Sequence, residues 1–414
     1  MKPRTKRIEV GSANTTSGMT YKDTGVSYDD MDPWKKAAQT HAAQTDNMCS
    51  RLGLEVLSWT RGESVFGMKD KVTGVCYGSL IEGLGTKNEV ADAMRKLLNI
   101  ANRMFKLTGK SFYDKIAQCN VAMAVNDLIT LNFRPVSYSL YVAVGDSAWF
   151  ADDERCQDLA MGTRDACIKG RLTWGGGESP TLVGVIHFGH VELAGSVTGI
   201  APSEELLFNP SKIREGDAVF FVESSGIHAN GLTLARRIAD RKDSFLRKVL
   251  NFFSPAKYPL MALPDGYLTK LSDGQTYGEA LLEPTHIYSA FVEDCVEAGV
   301  EIHYTANITG HGLRKIMRAL RQFRYVITRL PQLKPLFEFI QKHGPVSDKE
   351  AYGNLNMGVG FVLFIPPSCV DLAISIAVRH GFVAYQGGTV EVGPRSVVLV
   401  EKGIEYAGET LAVR

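Results

Sequence analysis

The chain has 414 residues, with 46 basic and 45 acidic side chains, a net charge of +1, 45% apolar residues and 22% charged ones. That length suits two or three domains with full cores, and the balanced charge leaves no field to draw nucleic acid or an anionic membrane. Seven cysteines (49, 76, 119, 156, 167, 295 and 369), odd in number and without a C-x-x-C pair, speak against a disulfide framework or zinc knuckle and for a reducing cytoplasm.

The opening MKPRTKR is basic with no apolar stretch behind it, and reads as a frayed terminus rather than a signal peptide. Asp32 before Pro33 predicts a helix start with an N-cap and proline at the first position. Strands are expected at 55–60 and 73–80, helices at 88–103 and 114–131, a strand at 136–145 and a helix at 151–169. The last leads into the glycine loop RLTWGGGES, and HVELAGSVTGIA closes the first half as a strand.

The polar stretch LLFNPSKIREGD, 206–217, marks a domain boundary. Beyond it AVFFVES predicts a buried strand, and GLTLARRIADR a helix. Helices are expected at 286–299, 311–321 and 367–380, alternating with apolar runs at 324–328, 358–365 and 382–392. The longest such run, Gly358 to Pro367, is too short to span a bilayer. Segment 243–275 reads as an insertion of mixed character, and the whole as two α/β or α+β domains.

YGSLIEGLGTKNEV (77–90) places a glycine turn between a strand and a helix. Leu84 stands where a Walker A loop needs lysine. Backbone amides at such a turn still favour an anion, with Glu82 suited to magnesium and Lys87 to phosphate charge, but local sequence alone favours an ordinary tight turn with surface charges. In CNVAMAVNDLITLN (119–132) an apolar helix is interrupted by Asn126 and Asp127. A buried carboxylate requires a partner, whether a lysine, a backbone amide or a magnesium ion. WGGGES adds Glu178 after three glycines. Glu82, Asp127 and Glu178 together suit magnesium carrying nucleotide phosphates. ESSGIHANGLTLAR (223–236) offers a second anion site or a helix capped by Asn230, and NITGHGLRKIMR (307–318) repeats the shape with glycines before a basic amphipathic helix. His187 and His190 sit on opposite faces of an expected strand, so no metal pair is assigned to them.

In order and spacing, YKDTGVSYD, IEGLGTK, AMAVNDL, GGGE, SSGIHANGLTLAR, EPTHIY, NITGHG and NMGVGF resemble the phosphoribosylformylglycinamidine cyclo-ligase (aminoimidazole ribonucleotide synthetase) family, from about residue 20 to 395. The resemblance implies an α+β fold with an ATP-binding domain at 51–206, to whose site residues 1–50 contribute. Its sheet forms a barrel across a homodimer. A C-terminal α/β sandwich domain, 207–414, takes the substrate.

The implied reaction is ATP-dependent cyclisation of formylglycinamidine ribonucleotide in purine synthesis, through phosphorylation of the formyl oxygen, with ATP and Mg²⁺. Carried onto this chain, the catalytic positions are Asp127, Lys87 and His228, and the metal positions Glu82, Asp127 and Glu178. Nucleotide binding falls to Lys22, Asp23, Gly83, Gly85, Thr86, Lys87, Asn126, Gly176 and Gly177. Substrate binding falls to Ser225, Gly226, His228, Asn230, Gly231, Gly310 and Gly312.

Four positions depart from the family pattern. Glu82 replaces an aspartate, SPTLVG replaces an acidic proline-containing loop, His286 replaces an arginine, and His311 interrupts a glycine triplet. The alternatives are another ATP-using enzyme of the superfamily, a small-molecule kinase or a maturation factor, and a non-catalytic paralogue.

Overall fold

A computed structural model describes residues 19–20, 22–25, 27–105, 111–240 and 265–411. The first half builds one six-stranded sheet in the order β1-β2-β3-β6-β4-β5. Its strands are β1 (Leu54–Val56), β2 (Phe66–Asp70), β3 (Cys76–Gly83), β4 (Arg134–Val144), β5 (Thr173–Glu178) and β6 (Val191–Ala201). Pairing is antiparallel except for β4 with β5. Four helices accompany it: α1 (Tyr28–Ala43), α2 (Lys87–Phe105), α3 (Tyr113–Leu128) and α4 (Asp153–Gly170).

The apolar run of α3 is buried between the sheet and α4, with Val121, Ala122, Ala124 and Val125 fully enclosed. Asn120 pins the helix down, its Nδ2 donating to the Tyr138 hydroxyl at 2.8 Å. Tyr138 lies across β6 at Gly195, where a Cβ would stand 2.1 Å from its hydroxyl, so that position admits no side chain.

The second half builds a seven-stranded sheet, β13-β12-β9-β11-β7-β10-β8. Its strands are β7 (Ala218–Glu223), β8 (Tyr304–Asn307), β9 (Phe323–Ile327), β10 (Val359–Ile365), β11 (Ala384–Val392), β12 (Ser396–Leu399) and β13 (Ile404–Ala407). All seven residues of β10 are buried, as expected of a strand covered on both faces. The helices are α5 (Leu232–Asp240), α6 (Tyr277–Leu281), α7 (Ser289–Glu297), α8 (Pro335–His343), α9 (Asp348–Asn354) and α10 (Val370–Arg379). Two mixed units, each with its own sheet, are thus what the periodicities anticipate.

Several local expectations change. Helix α1 begins at Tyr28 with Ser27 as its cap, so Pro33 lies inside it rather than at its start. The run WGGGE is strand β5, not a loop: a Cβ on Gly177 would stand 1.9 Å from the Leu140 carbonyl, and glycine alone lets the two backbones meet. The helix expected at 311–321 is a short 3-10 turn, Gly312–Met317, entered through His311 at φ 70°. His187 and His190 lie in a turn ahead of β6, with His190 Nδ1 2.8 Å from Glu89 Oε1. Residues 243–264 of the expected insertion lie outside the described residues. Its end, 265–275, holds one 3-10 turn, Gly266–Leu268.

Candidate functional site

Asp127 enters from the last turn of α3 and Glu82 from the end of β3, and the two carboxyl groups line the same cavity. Asp127 is only 5% exposed, and its Oδ1 accepts from Asn307 Nδ2 of β8 at 2.6 Å. The partners of the buried acid are therefore a second acid and an amide from the other half of the chain. Burial, and then the charge of Asp127, push the Glu82 carboxyl up to about 8. A divalent cation would displace the proton on Glu82 and meet two hard oxygen donors, so this pair fits such an ion.

Glu178 does not join them. It is exposed on edge strand β5 and accepts from its own neighbour's amide, Ser179 N, at 3.2 Å. Among the described residues no three His, Cys, Asp or Glu side chains gather as metal ligands. The three-carboxylate set expected from sequence is a pair in this chain. The carboxylates face each other because β3 and α3 pack together, whereas β5 lies on the far side of β6 and β4.

The pair lines a cavity of about 250 Å³ with Lys35, Glu63, His311, Lys315 and Arg318. Glu63 is held by the Tyr304 hydroxyl at 2.7 Å and faces Arg318 Nε at 3.5 Å. Burial, followed by the nearby Arg314 and Lys315, drives the His311 imidazole down to about 2, so it is neutral. Lys35, Glu63, Lys315 and Arg318 stand in no motif that marks them as site residues in the sequence. The signal for the last two was the basic face of GLRKIMR, whose three-residue spacing puts Lys315 and Arg318 on one side of a 3-10 turn.

The expected nucleotide residues divide. Gly83 ends β3 beside Glu192, Gly85 lies at the junction of the halves, where its Cβ would stand 3.9 Å from the Ala229 carbonyl, and Thr86 follows at the head of α2. Lys87, expected to meet phosphate, is fully buried: its Nζ donates to the carbonyls of His228 at 2.8 Å and Glu283 at 2.6 Å.

Asn126 is likewise engaged, donating to His286 O at 2.7 Å and accepting from Tyr288 N at 3.0 Å. With Gln118 Nε2 on Thr285 O at 2.9 Å, it stitches the EPTHIY segment along α3. Gly176 and Gly177 serve strand pairing on β5. Lys22 and Asp23 pack beside α5, where Arg237 donates to the Asp23 carbonyl and Lys22 pairs with Asp29 at 3.3 Å.

The second-half loop keeps its polar residues near a separate polar cavity of about 340 Å³, lined by Ser225, Gly226, Asp273, Gln275, Glu283 and Lys334, with the start of α8 beside it. Ser225 Oγ donates to Pro284 O at 2.6 Å, and Asn356 Nδ2 donates to Gly226 O at 2.9 Å. His228 is buried at φ 60°, its Nε2 accepting from Ser225 N at 3.3 Å, and Gly231 at φ 87° lets the chain turn into α5. Asn230 reaches Met123 Sδ at 3.9 Å rather than capping the helix. Gly310 and Gly312 flank His311 and so belong with the carboxylate cavity, not with this one. Gly312, at φ 49°, has the Tyr352 carbonyl oxygen 2.5 Å from where its Cβ would be.

Burial pulls the His228 imidazole well below its usual range, with His286 and Lys87 adding to the effect. His286 is lowered to about 4 by burial and then by Lys334 and Lys169. A neutral histidine in the fold has an unfolded-state value near 6.5, so its contribution is full above about pH 6.5 and lost as pH falls toward 4. His286→Gln should therefore gain on the wild type by about 1–2 kcal/mol between pH 7 and pH 4.5, allowing for partial exposure. Urea midpoints at the two pH values read the difference, and parallel shifts in both proteins refute a neutral His286.

Two packed α+β units thus bring an acid pair to face cations across one cavity at their junction. Residues 99–201 match the family model "AIR synthase related protein, N-terminal domain", and residues 214–401 its C-terminal counterpart. The phosphoribosylformylglycinamidine cyclo-ligase of Carboxydothermus hydrogenoformans is 30% identical over 390 residues, 92% of this chain and 99% of the relative. That of Methanocaldococcus jannaschii is 30% identical over 375 residues, 90% and 92%. The chain belongs to the phosphoribosylformylglycinamidine cyclo-ligase family. Among solved structures, thiamine-monophosphate kinase from Stenotrophomonas maltophilia shares the fold at TM-score 0.51 and 12% identity, covering 80% of this chain and 88% of that one. Phosphoribosylformylglycinamidine synthase II from Thermotoga maritima does so at 0.50 and 11%, covering 84% and 46%.

Proposed function

We propose that this chain is an ATP-dependent cyclo-ligase that closes formylglycinamidine ribonucleotide to aminoimidazole ribonucleotide in purine biosynthesis. The observation that carries the reading is the Glu82–Asp127 pair, buried at the junction of the two halves and facing Lys35, Lys315 and Arg318 across one small cavity. Relatives named for this activity align along nearly the whole chain. A cavity of about 250 Å³ is below the usual ~300–1,000 Å³ of a whole small-molecule site and suits the phosphate end of a nucleotide. Neighbours of the same fold include Thermotoga maritima PurL complexed with AMPPCP, at TM-score 0.50.

Magnesium, held by Glu82 and Asp127, would offset charge on the triphosphate. The protein's own groups do the rest. Asn307 orients Asp127, the strained His311–Gly312 turn presents the basic face, and the Ser225–Gly231 loop with Lys334 provides a polar pocket for the substrate's ribose phosphate. Transfer of the γ-phosphoryl group to the formyl oxygen turns that oxygen into a leaving group, and a nitrogen of the same substrate displaces it to close the ring. Packing the two halves together keeps water from the activated carbon.

The reading includes a homodimer in the cytoplasm. The first sheet exposes an apolar surface of Leu52, Tyr77, Val136 and Ile200 that a second copy would cover. No described helix is long and apolar enough to cross a membrane. The test supplies purified protein with ATP, magnesium and formylglycinamidine ribonucleotide and follows ADP and aminoimidazole product together. Absence of both refutes the proposal, and ADP without imidazole points to another phosphoryl-transfer reaction on the same fold.

A further inference from the structure

We propose that Lys315 and Arg318 are the polyphosphate anchors of this enzyme, so that the second half of the chain supplies the cations of a site whose acids come from the first. This rests on the nucleotide reading above and names the groups that hold the anion.

The two side chains are three residues apart where a 3-10 turn runs into Arg318, and that spacing eclipses them on one face. The opposite face, Leu313, Ile316 and Met317, is buried in the core and fixes the turn's rotation. Lys315 Nζ donates to Thr309 Oγ1, from the start of the same loop. Arg318 Nη2 donates to Gly62 O at 3.0 Å, while its Nε meets only the Glu63 carboxylate, at 3.5 Å. A guanidinium nitrogen at the wall of a polar cavity, with its carboxylate at the limit of hydrogen-bond reach, can still take a closer acceptor.

The charges agree with that assignment. With the proton on Glu82 displaced, as a bound divalent ion requires, Glu63, Glu82 and Asp127 balance Lys35, Lys315 and Arg318. A divalent ion on the Glu82–Asp127 pair leaves a surplus of two positive charges, which a polyphosphate offsets and a neutral ligand does not. The loop that carries the turn holds His311 at φ 70°, a left-handed backbone costly for a non-glycine residue and of the kind found where side chains are aimed at a ligand. His311, neutral beside the two cations, adds no charge of its own.

The test measures binding of ATP, inorganic tripolyphosphate and adenosine to the full chain by calorimetry, with magnesium present. Lys315→Gln and Arg318→Gln should each weaken ATP and tripolyphosphate by about 10–100-fold, the loss of a charge-assisted hydrogen bond, and leave adenosine unchanged. Lys315→Gln keeps a donor for Thr309 and should melt with the wild type, which guards against Arg318→Gln failing to fold. Wild-type protein that binds ATP, with both well-folded variants binding it equally, overturns this proposal alone. Wild-type protein that binds neither ATP nor tripolyphosphate removes the nucleotide reading with it.

Discussion

Asp127→Asn should lower ATP-dependent turnover by on the order of 10²–10³-fold while leaving the melting temperature unchanged or slightly raised. The substitution is isosteric, and its amide oxygen can still accept from Asn307 Nδ2. What disappears is one of two buried carboxyl groups that burial and mutual repulsion disfavour. A site that holds two acids together against that repulsion gives up stability for function, so removing one relieves the fold and disables the chemistry. Steady-state assay and calorimetry on the same preparation read both signs. Full activity would place Asp127 outside the reaction, and a large drop in melting temperature would make it a structural residue. Glu82→Gln should behave alike, since burial and the charge of Asp127 disfavour the Glu82 carboxylate in the same cavity.

Lys87→Met should act in the opposite sense, destabilising the chain by about 2–4 kcal/mol. Its Nζ is enclosed and satisfies two carbonyls, those of His228 and Glu283, which would both lose their donor. Methionine fills similar volume, so the loss reports hydrogen bonds rather than a cavity. The two carbonyls belong to the loop behind Ser225 and to the wall of the second cavity, so substrate KM should rise more than kcat falls. Urea denaturation and the KM–kcat split measure the two effects. Wild-type stability in the variant would show that the ammonium's desolvation outweighs its two bonds. A fall in kcat alone would return Lys87 to the phosphate-handling role its sequence position suggests.

Lys87 and Asn126 show where reading the chain stops. Both sit in stretches that look like ligand-handling loops and helices, and both spend their polar groups on backbone from beyond residue 220. Nothing local distinguishes a lysine aimed at phosphate from one aimed at a carbonyl some 140 positions away. Gly177 is a similar case: its freedom from a Cβ serves close contact with Leu140, a neighbour that only strand pairing creates. Lys315 and Arg318 were visible as a basic face, but their opposite number was not.

The sequence by itself determined the two mixed halves, the buried helix with one acid in it, the glycine turns and the family, because apolar periodicity, glycine placement and motif order are local or one-dimensional properties. Tertiary structure alone decided which acids meet and which cations face them. A hydrogen bond or ion pair depends on separations of a few ångströms in space, and chain distance carries almost no information about those once two sheets have packed against each other.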